Sequence, residues 1–131
     1  MKSEAINDLY YIGFEGEPEI IFMYEKSNEV QVLKLWNGYF ESLLDCLVQQ
    51  APVQDGILHE YYVHEGWYEE SPWEIKNVEK AVQLFKSFDV KKVTENESSN
   101  IIPVLPAITM DIISFLEQAI QSGNRVFIVY E

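Results

Sequence analysis

Three apolar runs open the chain. Leu9 to Phe14 is apolar and aromatic and gives way to the glycines Gly13 and Gly16. Glu19 to Tyr24 follows Pro18, and Ile20, Ile21, Phe22 and Met23 make it apolar on both faces. A strand of that kind belongs inside a sheet, flanked on both edges. After the turn cluster Ser27-Asn28-Glu29, Val30 to Trp36 partly alternates, with Val30, Val32 and Trp36 opposite Leu33 and Leu35. A period near two predicts three strands joined as a meander.

The period then changes. Beyond Asn37-Gly38, Phe40, Leu43, Leu44, Leu47 and Val48 follow the spacing of an amphipathic helix. Pro52 ends it near Gln50, because the residue before a proline is pushed out of the helical region. Cys46 lies beside this stripe and reads as a small core residue. A second helix is expected after Ser71-Pro72-Trp73-Glu74, with Ser71 as cap, Pro72 in the first turn and Glu74 completing a capping box. Its stripe is Val78, Ala81, Val82, Phe85 and Phe88, ending near Asp89. Thr94 to Asn100 reads as a polar loop, and Ile101 to Pro106 as an extended segment held by Pro103 and Pro106. Ile108, Ile112, Phe115, Leu116, Ala119 and Ile120 mark a third helix, closed by Gly123-Asn124. Val126 to Tyr130 is a final strand, apolar on both faces. Strands, then helices, then one closing strand predict an α+β fold. The expected form is a mostly antiparallel sheet of four or five strands with three helices packed mainly on one face. The 131 residues suit a single domain spanning 1–131.

Charge narrows the function. The chain carries 22 acidic and 9 basic groups, a formal net charge of −13. Residues 1–75 hold 15 acidic and 3 basic groups, and residues 76–131 hold 7 and 6. Between Lys34 and Lys76 there is no Lys or Arg, while Glu41, Asp45, Asp55, Glu60, Glu65, Glu69, Glu70 and Glu74 all fall there. Such a balance excludes binding of nucleic-acid backbones or anionic membranes by general electrostatics. Segregation of one sign points to a field aimed at a positive partner. The single cysteine permits no internal disulfide, and Met1 to Asp8 has no apolar signal core. The longest uncharged apolar run, Ile101 to Ile108, is interrupted by two prolines. A cytoplasmic location is expected.

Residues 57–74 concentrate the distinctive chemistry. Two of the three tryptophans, three of the eight tyrosines and both histidines fall here, with five glutamates and no cation. Ile57 to Val63 reads as a strand and the rest as an ordered loop. Trp and Tyr dominate interface energetics because they bury large area at modest entropic cost. Surrounding carboxylates speed encounter with a basic surface. The candidate partner-binding residues are Asp55, Glu60, Tyr61, Glu65, Trp67, Tyr68, Glu69 and Glu70. Trp67, Tyr68 and Tyr61 would be the anchors and the carboxylates the field.

Catalytic signatures are lacking. His59 and His64 are five residues apart, which neither a helix nor a strand turns to one side, so no metal site is expected. There is no nucleophile elbow and no Cys/His signature around Cys46. Gly13 and Gly16 lack the Lys-Ser/Thr of a phosphate loop, and Glu15 and Glu17 would repel phosphate. No enzyme activity and no cofactor are expected.

The cation-free stretch Leu35 to Ile75 and the acidic-aromatic run Glu60 to Glu74 give the chain a resemblance of type to the small acidic immunity proteins that bacteria pair with toxins. That resemblance implies a non-catalytic inhibitor whose carboxylates and aromatics block the basic active site of a toxin domain, such as a nuclease. The alternative is an adaptor or regulatory module with an apolar pocket, its acidity serving solubility.

Overall fold

In a computed structural model, residues 3–50, 56–92 and 101–131 are described. Asp55 and the Thr94 to Asn100 loop lie outside them. The strands are β1 (Ser3–Tyr10), β2 (Glu19–Lys26), β3 (Glu29–Trp36), β4 (Trp73–Glu74) and β5 (Phe127–Tyr130). The helices are α1 (Asn37–Gln50), α2 (Gly56–Val63), α3 (Val78–Lys86) and α4 (Leu105–Ser122), with short 3-10 turns at Gly66–Tyr68, Val90–Lys92 and Ile102–Val104. The fold is α+β, with four helices among the described residues rather than three.

One five-stranded sheet runs β1-β3-β2-β5-β4. β2 lies at its centre, antiparallel to β3 and to β5, as its two apolar faces require. The expected meander is overturned at β1, which pairs with the far side of β3, in parallel. β1 is mostly polar and exposed, which suits an edge; the apolar β2 takes a neighbour on both sides instead. β1 also starts earlier than Leu9 and ends at Tyr10, because Tyr11 to Phe14 turns back through bonds from the Tyr11 and Ile12 N–H groups to the Asp8 carbonyl.

The helices bury one side of this sheet. Ile20, Phe22 and Tyr24 of β2 and Leu33 and Leu35 of β3 join Phe40, Leu43, Leu44 and Leu47 of α1 and Ile108, Ile112 and Leu116 of α4 in one core. Phe22 meets Phe40 edge-on, with centroids 5.5 Å apart. Cys46 is buried in the same core. By the alternation of a strand, Ile21, Met23 and Val32 face the other way.

Three local expectations are corrected. Ile57 to Val63 is helix α2, not a strand. Ile57 and Leu58 are both buried and Tyr61 is half-buried, a helical i, i+1, i+4 pattern that no alternating strand could satisfy. Ser71 to Glu74 does not open a helix. Trp73 and Glu74 pair with Ile128 and Phe127 of β5, Ser71 Oγ accepts from the Tyr130 N–H, and Glu74 takes a two-pronged ion pair from Arg125 at 2.8 and 3.1 Å. α3 is capped by Asn77 instead, whose Oδ1 accepts from the Lys80 N–H at 3.0 Å. The third correction concerns Ile101 to Pro106, which is a 3-10 turn running into α4. Pro103 and Pro106 sit in first turns, where the missing N–H costs nothing. Ile102–Ser122 is thus long and apolar enough, by length and composition, to cross a membrane. In the fold, however, Leu105, Ile108, Ile112, Leu116 and Ala119 direct that apolarity into the core.

Candidate functional site

The cation-free stretch folds into two helices and a turn that meet along one side of α1. Glu41 and Asp45 are one turn apart on α1, on the side away from its buried Phe40, Leu43, Leu44 and Leu47. Each carboxylate receives a tyrosine hydroxyl. Tyr68 donates to Glu41 Oε2 at 2.5 Å, and Tyr61 donates to Asp45 Oδ1 at 2.5 Å while lying 3.3 Å from the Glu41 carbonyl. Two residues from the acidic-aromatic run are therefore tied to two acids outside it.

His64 connects the pair of tyrosines. α2 ends in a Schellman motif, with the Glu65 N–H bonded to the Glu60 carbonyl and the His64 N–H to that of Tyr61. His64 occupies the left-handed position, φ 59°, where glycine is usual. Its ring stacks on Tyr68, with centroids 4.7 Å apart and planes 5° from parallel, and lies 6.2 Å from the Tyr61 ring. Tyr68 in turn meets Tyr130 of β5 edge-on at 5.4 Å, which ties the cluster to the sheet.

Both hydroxyls are held protonated. Burial, then the bond to Asp45 and the charges of Asp45 and Glu41, push Tyr61 well above the ordinary tyrosine range. Burial, then the bond and charge of Glu41, do the same for Tyr68. The Trp67 indole N–H pulls Tyr68 slightly the other way, although it makes no hydrogen bond of normal geometry.

The sequence-predicted residues separate into two groups. Tyr61 and Tyr68 are half-buried, Glu60 is partly exposed, and Glu65, Glu69 and Glu70 are exposed. Trp67 is corrected. It is 1 % exposed, packed against Phe40 at 5.7 Å and Trp73 at 5.5 Å, and is a core residue rather than an anchor. The preceding glycine explains this: Gly66, φ 60°, turns the chain so tightly that a Cβ there would lie 2.8 Å from that of Glu60, and the turn drives the indole inward. Asp55 lies outside the described residues. Sequence reasoning missed Glu41, Asp45, His64 and the exposed Tyr62. The i, i+4 spacing of Glu41 and Asp45 on the polar side of a recognisable amphipathic helix was the available signal.

Behind this surface lies a cleft of about 510 Å³ between α2 and α3, floored by Ile57, Leu58, Ile75 and Ala81 and edged by Trp73 and Leu84. Among the described residues no three His, Cys, Asp or Glu side chains converge as a metal site would require. No protein-family model matches the chain, and no curated protein or solved structure shows significant similarity to it.

Proposed function

We propose that the chain is a non-catalytic binding protein that engages a basic protein partner through the α1–α2 side of the fold. The partner in this reading is a toxin domain such as a nuclease, blocked at its active site in the cytoplasm of a bacterium, as the resemblance to immunity proteins implies. The observation that carries the reading is the pairing of Glu41 with Tyr68 and of Asp45 with Tyr61, with His64 stacked on Tyr68 and the exposed Glu65, Glu69 and Glu70 beside these residues in sequence, in a stretch without Lys or Arg. Tyr62, 67 % exposed, replaces Trp67 as the outward aromatic. The tyrosine hydroxyls hold the Glu41 and Asp45 carboxylates in place, so little side-chain entropy remains to be lost on binding. The exposed glutamates supply the steering field.

The direct experiment is growth rescue. Products of neighbouring genes that end in a basic domain are expressed with and without this chain; the expected result is toxicity alone and growth together. Association of the purified pair should slow steeply as salt rises, and Glu65, Glu69 and Glu70 changed together to Gln should slow it at low salt without altering the fold. A salt-insensitive association rate ends the electrostatic part of the reading. The adaptor reading is favoured by one observation, the apolar α2–α3 cleft, whose volume lies in the range of small-molecule sites.

A further inference from the structure

Among the described residues the sheet ends in β1, at the edge away from β5 and the acidic-aromatic cluster that meets it. Among the described residues β1 pairs only with β3, so its other edge offers backbone N–H and C=O groups to a further strand. Natural edges of this length are ordinarily blunted by charged side chains, lysine above all, by proline, by bulges or by a covering element. Between Ser3 and Tyr10 there is no lysine and no proline; the strand's charges are the acids Glu4 and Asp8, which repel an acidic strand but not a basic one, and its one irregularity falls late, between Asn7 and Tyr10. The pairing stops only where the register breaks between Asn7 and Tyr10, and there the Asn7 side chain takes the Leu9 N–H.

The side chains along this edge are unusual for an exposed strand. Ile6 is 47 % exposed, Leu9 63 % and Ile12, just past the strand, 62 %. Apolar side chains are thus exposed at three points along and just past the strand, where solvent alone would favour polar residues. Around it stand acids. Glu4 and Asp8 lie on β1, Glu29 is opposite Ser3, and Asp111 of α4 accepts from Asn7 at 3.3 Å and from Tyr10 at 2.9 Å. Lys34, one strand further in, falls opposite the register break rather than along the paired stretch.

We propose that β1 is a strand-addition site for an extended segment of a basic partner, one that alternates apolar and cationic side chains. Its backbone would complete the ladder, its apolar residues would cover Ile6 and Leu9, and its cations would meet Glu4, Asp8 and Glu29. Charge argues against a second copy of this chain. Antiparallel self-pairing centred on Ile6 would set Glu4 against Asp8 of the other copy, a destabilising like-charge pair. The inference does not rest on the α1–α2 reading, because β1 is an edge strand and the α1–α2 cluster meets the sheet at β5, three strands away.

The test is amide hydrogen exchange on the whole chain with an alternating lysine–valine peptide long enough to span β1. The expected result is slowed exchange within residues 3–10, absent with the glutamate–valine counterpart, and an affinity at least about tenfold weaker for the Ile6→Lys/Leu9→Lys double variant. Those two side chains are exposed, so the variant should fold; an unchanged thermal midpoint checks it. Protection of β1 by neither peptide, or equally by both, overturns the proposal. So does concentration-dependent protection of β1 without peptide, which would make a second copy the occupant.

Discussion

The hydroxyl of Tyr68 donates to Glu41 Oε2 at 2.5 Å, joining the turn after α2 to the exposed side of α1 across 27 residues of sequence. A hydrogen bond to a charged acceptor contributes more than a neutral one. Tyr68→Phe should therefore lower stability by about 1.5 kcal/mol. Glu41→Gln keeps an acceptor and should cost less. Urea unfolding of the two single variants and the double one checks this. The coupling between the sites should be about 1 kcal/mol, because they share one bond. Additive single effects would mean that the bond contributes nothing in solution.

The tyrosines also set an alkaline limit. Tyr10 is pushed up to about 12 by burial and by its bond and proximity to Asp111, and Tyr61 and Tyr68 are pushed in the same direction. An unfolded tyrosine ionises near pH 10. Between that pH and the higher folded value, the unfolded chain has released the proton and the folded chain has not. The stability these groups contribute is thus fully present below about pH 10 and is lost as pH rises through the folded values. Urea midpoints should be level up to about pH 9 and fall above pH 10. The fall should be shallower in Tyr10→Phe than in the parent. A parallel decline in the two proteins would rule out Tyr10 as a contributor.

How much of this was legible depended on how local the cause is. The centre position of β2 followed from its five consecutive apolar or aromatic side chains, and the end of α4 from Gly123, which adopts φ 72°. α1 was legible from its stripe. The partner of β1 was not, because parallel pairing with β3 depends on what β2 and β5 need rather than on any local signal. α2 was not legible either, since seven residues with apolar groups at both ends suit a strand and a helix alike. Ser71 to Glu74 carried a convincing cap pattern, but Trp73 and Glu74 gain more from β5 and Arg125 than from starting a helix. At the site, composition located the acidic-aromatic surface but not the direction of each ring. Trp67 turns inward and Tyr62 outward for reasons of backbone geometry at Gly66 and helix phase in α2.

Trp67 gives the clearest mutational contrast. Its ring fills the space between Phe40, Tyr68 and Trp73, and its indole N–H is buried without a hydrogen-bond partner. Trp67→Ala should cost about 3–5 kcal/mol through the cavity it leaves. Trp67→Phe removes the unpartnered N–H along with part of the ring, so its cost should be roughly half as large. Gly66→Ala should also destabilise, because φ 60° is strained for alanine and the new Cβ would press on Glu60. Thermal unfolding orders the three. If Trp67→Ala weakened partner binding while leaving the melting temperature unchanged, the indole would be an interface group after all.

His64 separates strain from function. The other Schellman motif, at the end of α4, uses Gly123 in the left-handed position; α2 uses a histidine at φ 59°. A side chain there costs roughly 1 kcal/mol over glycine. His64→Gly should therefore be more stable than His64→Ala by about 1 kcal/mol, since both lose the ring and only one loses the strain. Against a basic partner the two variants should bind equally and more weakly than the parent, because both lose the ring stacked on Tyr68 at 4.7 Å. Strain kept at a surface position, with a ring held flat against a candidate anchor, is the pattern of a residue retained for contact rather than for stability. Calorimetry of binding for the parent and both variants, alongside their urea midpoints, decides it. Parent-like affinity in both variants would assign His64 no part in recognition.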